Sequence, residues 1–392
     1  MGYLYFTILK IPPWGLGAIM HLYLHIPFCR QACHYCDFHF STSLKSKTEI
    51  VQAICHEIFL QKDYLQDKNL ETIYFGGGTP SLLEEADFIQ IFETISKYFN
   101  IKPNAEITLE ANPDDLTKEK LLLFKKYYIN RLSIGIQSFH EEHLRSLNRI
   151  HTSQEAETCV KLSQDVGIQN LTIDLIYAIP SESHAIFELD LQKAVSLKTN
   201  HISAYCLTIE PKTVFAKWLK QGKIQVIDDD YAATQFDMLV NSLTQNGFEQ
   251  YEICSFTKSE SYSRHNTSYW KQEEYLGIGP SAHSFNHVSR QYNVPNNTKY
   301  VKELQQNTVP AEVDFLTIED QVNEYLLTGL RTKWGCNIQK INTLSNQLFQ
   351  KQNAFELEKQ IQEGFLKIEN DTLLLTYKGK LFADRIASNL FL

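Results

Sequence analysis

The chain has 392 residues, of which 43% are hydrophobic and 12% aromatic, and its 37 basic and 46 acidic side chains leave a formal charge of −9. This composition excludes an intrinsically disordered chain and allows one large domain with a smaller one. The acidic balance also argues against a nucleic-acid partner, because nucleic-acid binders usually present a basic face.

The first residues of the chain do not have the pattern of a targeting segment. Residues 1–19 are largely apolar, but Pro12 and Pro13 break any helix and no basic region precedes the apolar run. The rest of the sequence has no run of ~18 apolar residues that would cross a membrane. Because Met20 stands directly before HLYLHIPFC, we expect translation to begin there and residues 1–19 to be a mis-called extension.

Six β-rich runs alternate with amphipathic helical stretches in residues 20–252. Helical patterns occupy 49–65 and 81–99, and the alternation predicts βαβ units around a parallel sheet. Both a partial (β/α)6 barrel and an open doubly wound sheet fit this pattern. The β-rich runs are 21–26, 71–77, 106–112, 131–137, 171–180 and 201–210.

Polar and glycine-rich residues stand at the C-terminal ends of several of these runs. That edge carries the functional site in parallel α/β folds. Because different strands then direct polar groups to one place, a closed or nearly closed barrel is the simplest geometry. We therefore predict an α/β fold with a partial (β/α)6 barrel over residues 20–252. The strand-end residues are Gly76-Gly77-Gly78-Thr79, Glu110, Gln137 and Asp174.

The pattern changes after residue 252. Residues 253–313 are rich in turn formers and aromatics and are expected to connect the barrel to a smaller domain at 314–392. In that domain two helices are followed by a hairpin and a last helix, an order that resembles an α+β winged-helix module. A small helical cap docked on the main domain fits equally well, and the acidic charge favours protein docking or a lid over DNA binding. The predicted elements are 314–332, 354–363, 364–378 and 380–391.

Three of the eight cysteines, Cys29, Cys33 and Cys36, fall within eight residues, and the other five are scattered singly. A secreted disulfide framework would need a smaller and more cysteine-dense chain, so we expect a reduced, cytoplasmic compartment. Three cysteines are one too few for a usual structural zinc site, whereas a [4Fe–4S] cluster held by three leaves one iron open to a small molecule. The alternatives are incidental cysteines or a zinc site completed by a histidine: His25, His34 or His39.

The segment YLHIPFCRQACHYCDF resembles the CxxxCxxC motif of the radical S-adenosylmethionine (SAM) superfamily. The resemblance implies that SAM binds the open iron through its amino and carboxylate groups and is cleaved to a 5′-deoxyadenosyl radical. Further motifs are similar to the branch that contains oxygen-independent coproporphyrinogen III oxidase and the HemW heme chaperones. These motifs are FGGGTPSLL, LEANPD, RLSIGIQSF, LNRIH, DLIYAIP and HNTSYW.

The resemblance assigns the first SAM site to residues at the strand ends. Gly77 would help bind the methionyl amino group of SAM, with Gly78 and Thr79 beside it. Glu110 would contact SAM, and Tyr23 would pack near the cluster and its ligand. From the residues alone, the glycines predict a close approach of backbone to a ligand, but a tight turn explains them equally well.

In the oxidase branch, the positions that match Tyr35, Gln137, Arg149 and Asp174 form a second SAM-binding region. The same surface could hold substrate instead, or nothing. Taken from the residues alone, Arg149 is a candidate carboxylate clamp and Asp174 a hydroxyl acceptor. An ion pair on the barrel rim explains either residue equally well.

Two places decide between the branches. The oxidases typically carry a further cysteine two residues after the cluster motif, where this chain has Phe38. The motif at 265–270 resembles a HemW signature linked to heme binding, which implies His265 as an axial ligand to heme iron. A hydrogen-bonded turn histidine is the alternative. The remaining motif residues expected to bind or line the pocket are Asn266, Tyr269 and Trp270.

The resemblance therefore favours a heme chaperone that binds heme and passes it to acceptor hemoproteins. Oxygen-independent coproporphyrinogen III dehydrogenase is the alternative, and the sequence leaves open whether radical chemistry is retained. The expected cofactors are a [4Fe–4S] cluster, SAM and heme. Expected partners are acceptor hemoproteins, with peripheral contact to membrane respiratory enzymes and a homodimer left open, and no nucleic acid.

Overall fold

The computed structural model describes residues 20–392, so the predicted extension at 1–19 lies outside the described residues. The first six strands match the six predicted β-rich runs, although β3 begins earlier and the last two runs end sooner than predicted. Their bounds are β1 Met20–Ile26, β2 Asn69–Gly77, β3 Asn100–Ala111, β4 Arg131–Gln137, β5 Asn170–Tyr177 and β6 His201–Cys206.

Helices follow these strands in the predicted alternation. The helix predicted from residue 81 begins later because Pro80–Leu82 form a 3₁₀ turn, and a capping box between Glu84 and Asp87 then starts the helix. The helix predicted at 49–65 ends at Leu60. The bounds are α1 Lys47–Leu60, α2 Glu85–Tyr98, α3 Lys118–Lys126, α4 Glu141–Ser146, α5 Ser153–Asp165, α6 Ala185–Ser196, α7 Val214–Lys220 and α8 Asp229–Gln245.

Strands β1 to β6 lie side by side in chain order and are all parallel, which confirms the predicted α/β core. On each strand, aliphatic residues packed under the helices alternate with polar residues on the opposite face, as the period of two requires. Polar residues of that face hydrogen-bond to one another between neighbouring strands. They are His21, Tyr23 and His25 in β1, Thr72 and Tyr74 in β2, Glu106 and Glu110 in β3, Arg131 and Ser133 in β4, and Thr172 and Asp174 in β5.

The predicted connecting region, 253–313, adds strands to both ends of this core. Its strand at 275–278 pairs in parallel with β1, and its strand at 255–257 pairs antiparallel with β6. The boundary predicted at residue 252 therefore does not coincide with a break in the sheet. These strands are only three to five residues long, too short for alternation to reveal them. They are β8 Ser255–Thr257, β9 Tyr275–Ile278, β10 His283–Phe285, β11 Ser289–Asn293 and β12 Ala311–Phe315, with helices α9 Arg264–Trp270 and α10 Asn297–Leu304 between them, and β7 Glu249–Glu252 precedes the region and pairs with β8.

The complete sheet has 12 strands in the order β12-β11-β10-β9-β1-β2-β3-β4-β5-β6-β8-β7. Strands β12 and β7 are the two edges within the described residues, so the barrel is partial and open rather than closed. Across residues 20–392, the structure contains no helix with the length and apolar character needed to span a bilayer.

A small α+β unit with its own core follows the large sheet, as the sequence predicts. A three-stranded antiparallel sheet packs on helices around buried Val322, Leu326, Phe349 and Leu373. The hairpin turns at Asn370 and Asp371, both with positive φ, as a two-residue hairpin loop requires. The elements are helix α11 Ile318–Leu330, β13 Cys336–Asn337, helices α12 Ile338–Leu344 and α13 Leu348–Gln362, β14 Leu366–Glu369, β15 Thr372–Leu375, and helices α14 Tyr377–Lys380 and α15 Ala383–Asn389.

A buried carboxylate holds α1 against the added strands. Glu57 of α1 is fully buried, and its oxygens accept hydrogen bonds from four donors. Two of these, the Gly279 amide at 2.8 Å and the Asn293 amide at 2.7 Å, flank β10 and β11. The others are the Tyr300 hydroxyl at 2.5 Å and Gln61 at 3.0 Å. Glu57 therefore fixes the hairpin of β10 and β11 relative to the parallel core.

Candidate functional site: a cysteine loop and an aromatic cavity

The three clustered cysteines lie on a loop that leaves the C-terminal end of β1. The loop is closed at its base, where the Cys29 amide donates to the Ser41 carbonyl at 3.1 Å and the Ser41 amide donates to Pro27 at 2.8 Å. Its middle is held by Asn148, whose side chain donates to the Ala32 carbonyl at 2.6 Å. The motif LNRIH thus supports the loop, a role that the sequence alone did not indicate.

Cys29, Cys33 and Cys36 are half-buried free thiols. Burial, together with the negative charges of Cys33 and Cys29, raises the pKa of the Cys36 thiol to about 12. Burial also raises the pKa of Cys29. The Arg149 guanidinium donates to the Cys33 sulfur at 3.3 Å. Because a metal ligand must be a thiolate, iron would have to supply the positive charge that makes these thiols ionise.

No three His, Cys, Asp or Glu side chains within residues 20–392 are grouped closely enough to hold a single metal ion. A [4Fe–4S] cluster takes one cysteine on each of its irons. Three neighbouring free thiols on one supported loop fit that donor set. The assignment of Cys29, Cys33 and Cys36 as cluster ligands stays a prediction.

The glycine turn after β2 packs directly on the cysteine loop. Gly77 has φ +105°, and a Cβ there would lie 2.5 Å from the His25 ring. A Cβ at Gly78 would lie 2.6 Å from the Phe28 carbonyl oxygen, and the Thr79 amide donates to that oxygen at 2.6 Å. Only glycine allows this approach, so the turn and the cysteine loop form one unit.

Glu110 joins this unit from the end of β3. One carboxylate oxygen accepts from the Gly77 amide at 3.1 Å and the other accepts from the Tyr74 hydroxyl at 2.8 Å. Burial and the nearby Asp174 carboxylate raise the pKa of Glu110 to about 7. Tyr23 stacks on Tyr74 with ring centroids 6.1 Å apart. The structure therefore brings together Tyr23, Gly77 and Glu110, the predicted first SAM site.

The residues predicted for a second SAM site lie near one another, around Gly135 of β4 and the cysteine loop. Arg149 donates to the Asn112 side chain and to the Gly135 carbonyl, both at 2.7 Å, and lies beside Tyr35 at the cysteine loop. Gln137 ends β4 in a left-handed conformation with φ +69° beside the same Gly135. The Arg149 guanidinium thus donates to the Gly135 carbonyl, the Asn112 side-chain oxygen and the Cys33 sulfur. Sequence reasoning did not single out Asn112 of the motif LEANPD, which is a hydrogen-bond partner of Arg149.

Asp174 lies opposite Gly135 in the pairing of β4 with β5, and its carboxylate is near both Arg149 and Glu110. It accepts from the Ser133 hydroxyl at 3.0 Å, and its role toward a ligand hydroxyl stays a prediction. Burial raises the pKa of Asp174 to about 6. Asp174 and Glu110 therefore form a pair of half-buried acids with raised pKa values on the polar face of the sheet.

His265 of the HNTSYW motif lies in α9 and is fully buried. Both of its ring nitrogens are hydrogen-bonded to other side chains. Its Nδ1 contacts the Thr72 hydroxyl at 2.5 Å and its Nε2 contacts the Tyr269 hydroxyl at 2.8 Å. Thr72 also contacts His21 Nδ1 at 2.8 Å, and His21 Nε2 lies 2.9 Å from a Glu273 oxygen. This geometry argues against the predicted axial role of His265, because a metal would displace one of its partners.

The direction of these hydrogen bonds follows from the carboxylate at the end. A His21 ring that carries one proton and donates it to the Glu273 carboxylate through Nε2 accepts from Thr72 through Nδ1. Thr72 must then accept from His265 Nδ1, which leaves His265 Nε2 to accept from the Tyr269 hydroxyl. His265 therefore orients Tyr269. The supporting residues His21, Thr72 and Glu273 were missed by sequence reasoning, although polar residues alternating within a β-run are a usable signal.

Glu106 fixes this helix to the sheet. Its carboxylate accepts from the Arg264 amide at 3.1 Å and the His265 amide at 3.0 Å, at the start of α9. Asn266 contributes its amide to the Ser263 cap. The motif therefore folds as a capped helix, and its Tyr269 ring packs on Tyr275 of β9, with ring centroids 4.6 Å apart.

Tyr269 and Trp270 line a cavity of about 620 Å³ that also borders the predicted SAM site. Three residues of its wall, Tyr23, Gly77 and Glu110, belong to that site. The remaining wall comes mainly from β9 to β11 and from the cysteine loop, and it is rich in aromatic and histidine side chains. These are His25, Phe38, His39, Tyr275, His283 and Phe285.

A second cavity, of about 580 Å³, lies near the N-terminal ends of β3 and β4. It is lined by residues such as Ile101, Tyr128 and Asn130, and none of the predicted site residues lines it. Functional sites of parallel α/β folds lie at the opposite edge. The cavity bordered by the cysteine loop is therefore the better candidate site.

Comparison with known proteins agrees with this fold. Residues 23–194 match the family model of the radical SAM superfamily, and residues 316–382 match that of the HemN C-terminal domain. The solved structure of coproporphyrinogen III oxidase (HemN) from Escherichia coli, described as a radical SAM enzyme, superposes with a TM-score of 0.83. That match covers 95% of this chain and 90% of the other at 21% identity, which shows the fold alone. The protein is thus of the radical SAM class.

Curated relatives define the family more narrowly. The heme chaperone HemW of Bacillus subtilis is 30% identical over 93% of this chain and 97% of its own length. The heme chaperone HemW of Escherichia coli is 36% identical over 70% of this chain and 71% of its own length. The chain belongs to the HemW family.

The raised pKa of Glu110 predicts a pH-dependent effect on stability. Its folded pKa of about 7 lies above the ordinary value of 4.5, so the folded protein binds more protons between these limits and its stability falls as the pH rises through that window. Glu110→Gln should therefore stabilise the apoprotein at pH ~8, by at most ~3 kcal/mol, and have little effect at pH ~4. Urea denaturation at both pH values measures this difference.

The exposed strand residue Glu312 is the matched control. Glu312→Gln should change the free energy of unfolding by less than ~0.5 kcal/mol at either pH. Equal effects of Glu110→Gln at the two pH values would contradict the prediction.

Proposed function

We propose that this protein binds heme in the 620 Å³ cavity and passes it to acceptor hemoproteins, with a [4Fe–4S] cluster on Cys29, Cys33 and Cys36. The relatives support this, since the curated proteins that match most of the chain are heme chaperones. The match to the oxidase shows only a shared fold. A dehydrogenase acting on coproporphyrinogen III is therefore not favoured.

The observation that carries the proposal is the composition and place of the cavity. Its volume falls within the ~300–1,000 Å³ of small-molecule sites, and its wall contains six aromatic residues and three histidines. Aromatic rings such as Tyr269, Trp270 and Phe285 offer faces and edges against which a flat macrocycle can stack. The same cavity reaches the glycine turn and Glu110. Heme held there would lie next to SAM bound at the cluster.

The chain's own residues bind and orient these groups. Glu110 and Tyr23 would hold SAM beside the glycine turn, and the cysteine loop would hold the cluster. When bound, the cluster and SAM supply one-electron chemistry that no side chain of this protein can perform. His265 holds Tyr269 at the cavity wall.

We propose a cytoplasmic location, because all eight cysteines are free thiols in the structure, as a reducing compartment requires. Contact with membrane respiratory enzymes and a homodimer stay predictions of the resemblance.

Titration of the cluster-reconstituted protein with hemin under anaerobic conditions tests the proposal. We expect saturable binding with one heme per chain, followed by transfer to an apohemoprotein such as apomyoglobin. Absence of saturable binding would refute the proposal. An anaerobic assay with coproporphyrinogen III, SAM and a reductant separates it from the dehydrogenase, because a heme chaperone should form no protoporphyrinogen.

A further inference from the structure

We propose that His283 of β10, and not the motif histidine His265, is the protein ligand to heme iron. This inference rests on the proposed binding of heme in the cavity. It follows from which histidine nitrogens of the cavity wall are free to bind a metal.

Three histidines line the cavity: His25, His39 and His283. His25 has both ring nitrogens engaged, with Nδ1 at 3.1 Å from the Tyr23 hydroxyl and Nε2 at 3.0 Å from the His39 carbonyl. It is also buried, at 5% exposure. His25 therefore supports the glycine turn and offers no nitrogen to a ligand.

His39 has one nitrogen engaged. Its Nε2 lies 2.7 Å from the Asn297 side-chain oxygen, and its ring stacks on that of His25. The nitrogen that is left, Nδ1, is the one next to the ring's attachment to the backbone. That position gives a bulky macrocycle less access than Nε2 does.

The His283 side chain is exposed, and no hydrogen bond joins either of its ring nitrogens to another residue of the range 20–392. Partial burial and the charge of Arg290, another residue of the cavity wall, lower its pKa. The His283 side chain lines the cavity. Its ring lies beside that of Tyr292, and the two ring centroids are 5.7 Å apart. An imidazole with a free nitrogen on an aromatic cavity wall has the chemistry of an axial ligand to heme iron.

The backbone at His283 is held in place, as a metal ligand requires. A Cβ at Gly277 of β9 would lie 1.9 Å from the His283 carbonyl oxygen, so glycine allows β9 and β10 to pack closely. Strand β10 pairs with β11, which places His283 opposite Tyr292. Glu57 then fixes both ends of this hairpin through Gly279 and Asn293. His283 is thus a free side chain on a rigid strand.

The test compares glycine variants titrated with hemin and then with imidazole. His283→Gly should lose the absorbance and electron paramagnetic resonance signature of a histidine-ligated heme and should bind hemin at least about tenfold more weakly. Added imidazole should occupy the vacated space and restore the signature. His287→Gly is the matched control, because His287 is an exposed histidine of the same hairpin that does not line the cavity. It should behave as wild type.

His265→Gly tests the competing assignment, in which His265 is the ligand to heme iron. We expect its heme complex to keep the histidine signature, since His265 only orients Tyr269. Restoration of a lost signature by imidazole in His265→Gly, or an unchanged signature in His283→Gly, would overturn the assignment while leaving heme binding intact. Failure of the wild type to bind hemin would instead refute the proposed function. Iron content and circular dichroism of each variant show that cluster and fold are retained.

Discussion

Replacing Cys36 with serine is expected to abolish cluster assembly. The loop offers three cysteines and so has no spare ligand, and serine is a poor ligand because its hydroxyl does not ionise at neutral pH. Iron and acid-labile sulfide measured after anaerobic reconstitution should fall from about four of each per chain to near zero. This is the largest functional effect expected for a single substitution in this chain.

Cys55→Ser is the matched control for that experiment. Cys55 is also a half-buried free thiol whose pKa is raised by burial, but it lies in α1, away from the loop. It should retain the full content of iron and sulfide. Equal iron content in Cys36→Ser and the wild type would contradict the assignment. Zinc with no sulfide in the wild type would instead favour the zinc alternative.

The largest effect on stability is expected at Glu57. Glu57→Leu would leave the buried Gly279 amide and the Tyr300 hydroxyl without their carboxylate partner. Each buried donor that loses its partner costs about 1–3 kcal/mol. We therefore expect the free energy of unfolding to fall by ~3 kcal/mol or more, measured by urea denaturation.

Two variants show whether this loss comes from the hydrogen bonds. Glu57→Gln keeps one acceptor oxygen and should lose less stability than Glu57→Leu. Glu49→Leu makes the same change at an exposed position of α1 and should cost less than ~1 kcal/mol. A loss as large in Glu49→Leu would show that the effect belongs to helix α1 rather than to the network.

The alternation of strands and helices was enough to predict the parallel core, because each strand carries its own period of two and each helix its own apolar face. The spacing of Cys29, Cys33 and Cys36 likewise indicated one short loop, since residues three and four apart can be brought together by the turns of a single loop. The strand-end residues Gly77 and Glu110 could be expected to meet, because parallel strands end at one edge.

The sequence by itself therefore determined the α/β core, the cysteine loop and the residues at its edge, all of which depend on local patterns. Only the tertiary structure decided that β9 to β12 extend the sheet and that both ring nitrogens of His265 are hydrogen-bonded, whereas those of His283 have no such partner within residues 20–392. These outcomes depend on contacts between distant residues, such as Thr72 with His265 across 193 positions and His39 with Asn297 across 258. No local period encodes such contacts, since they form only when the strands have been placed side by side.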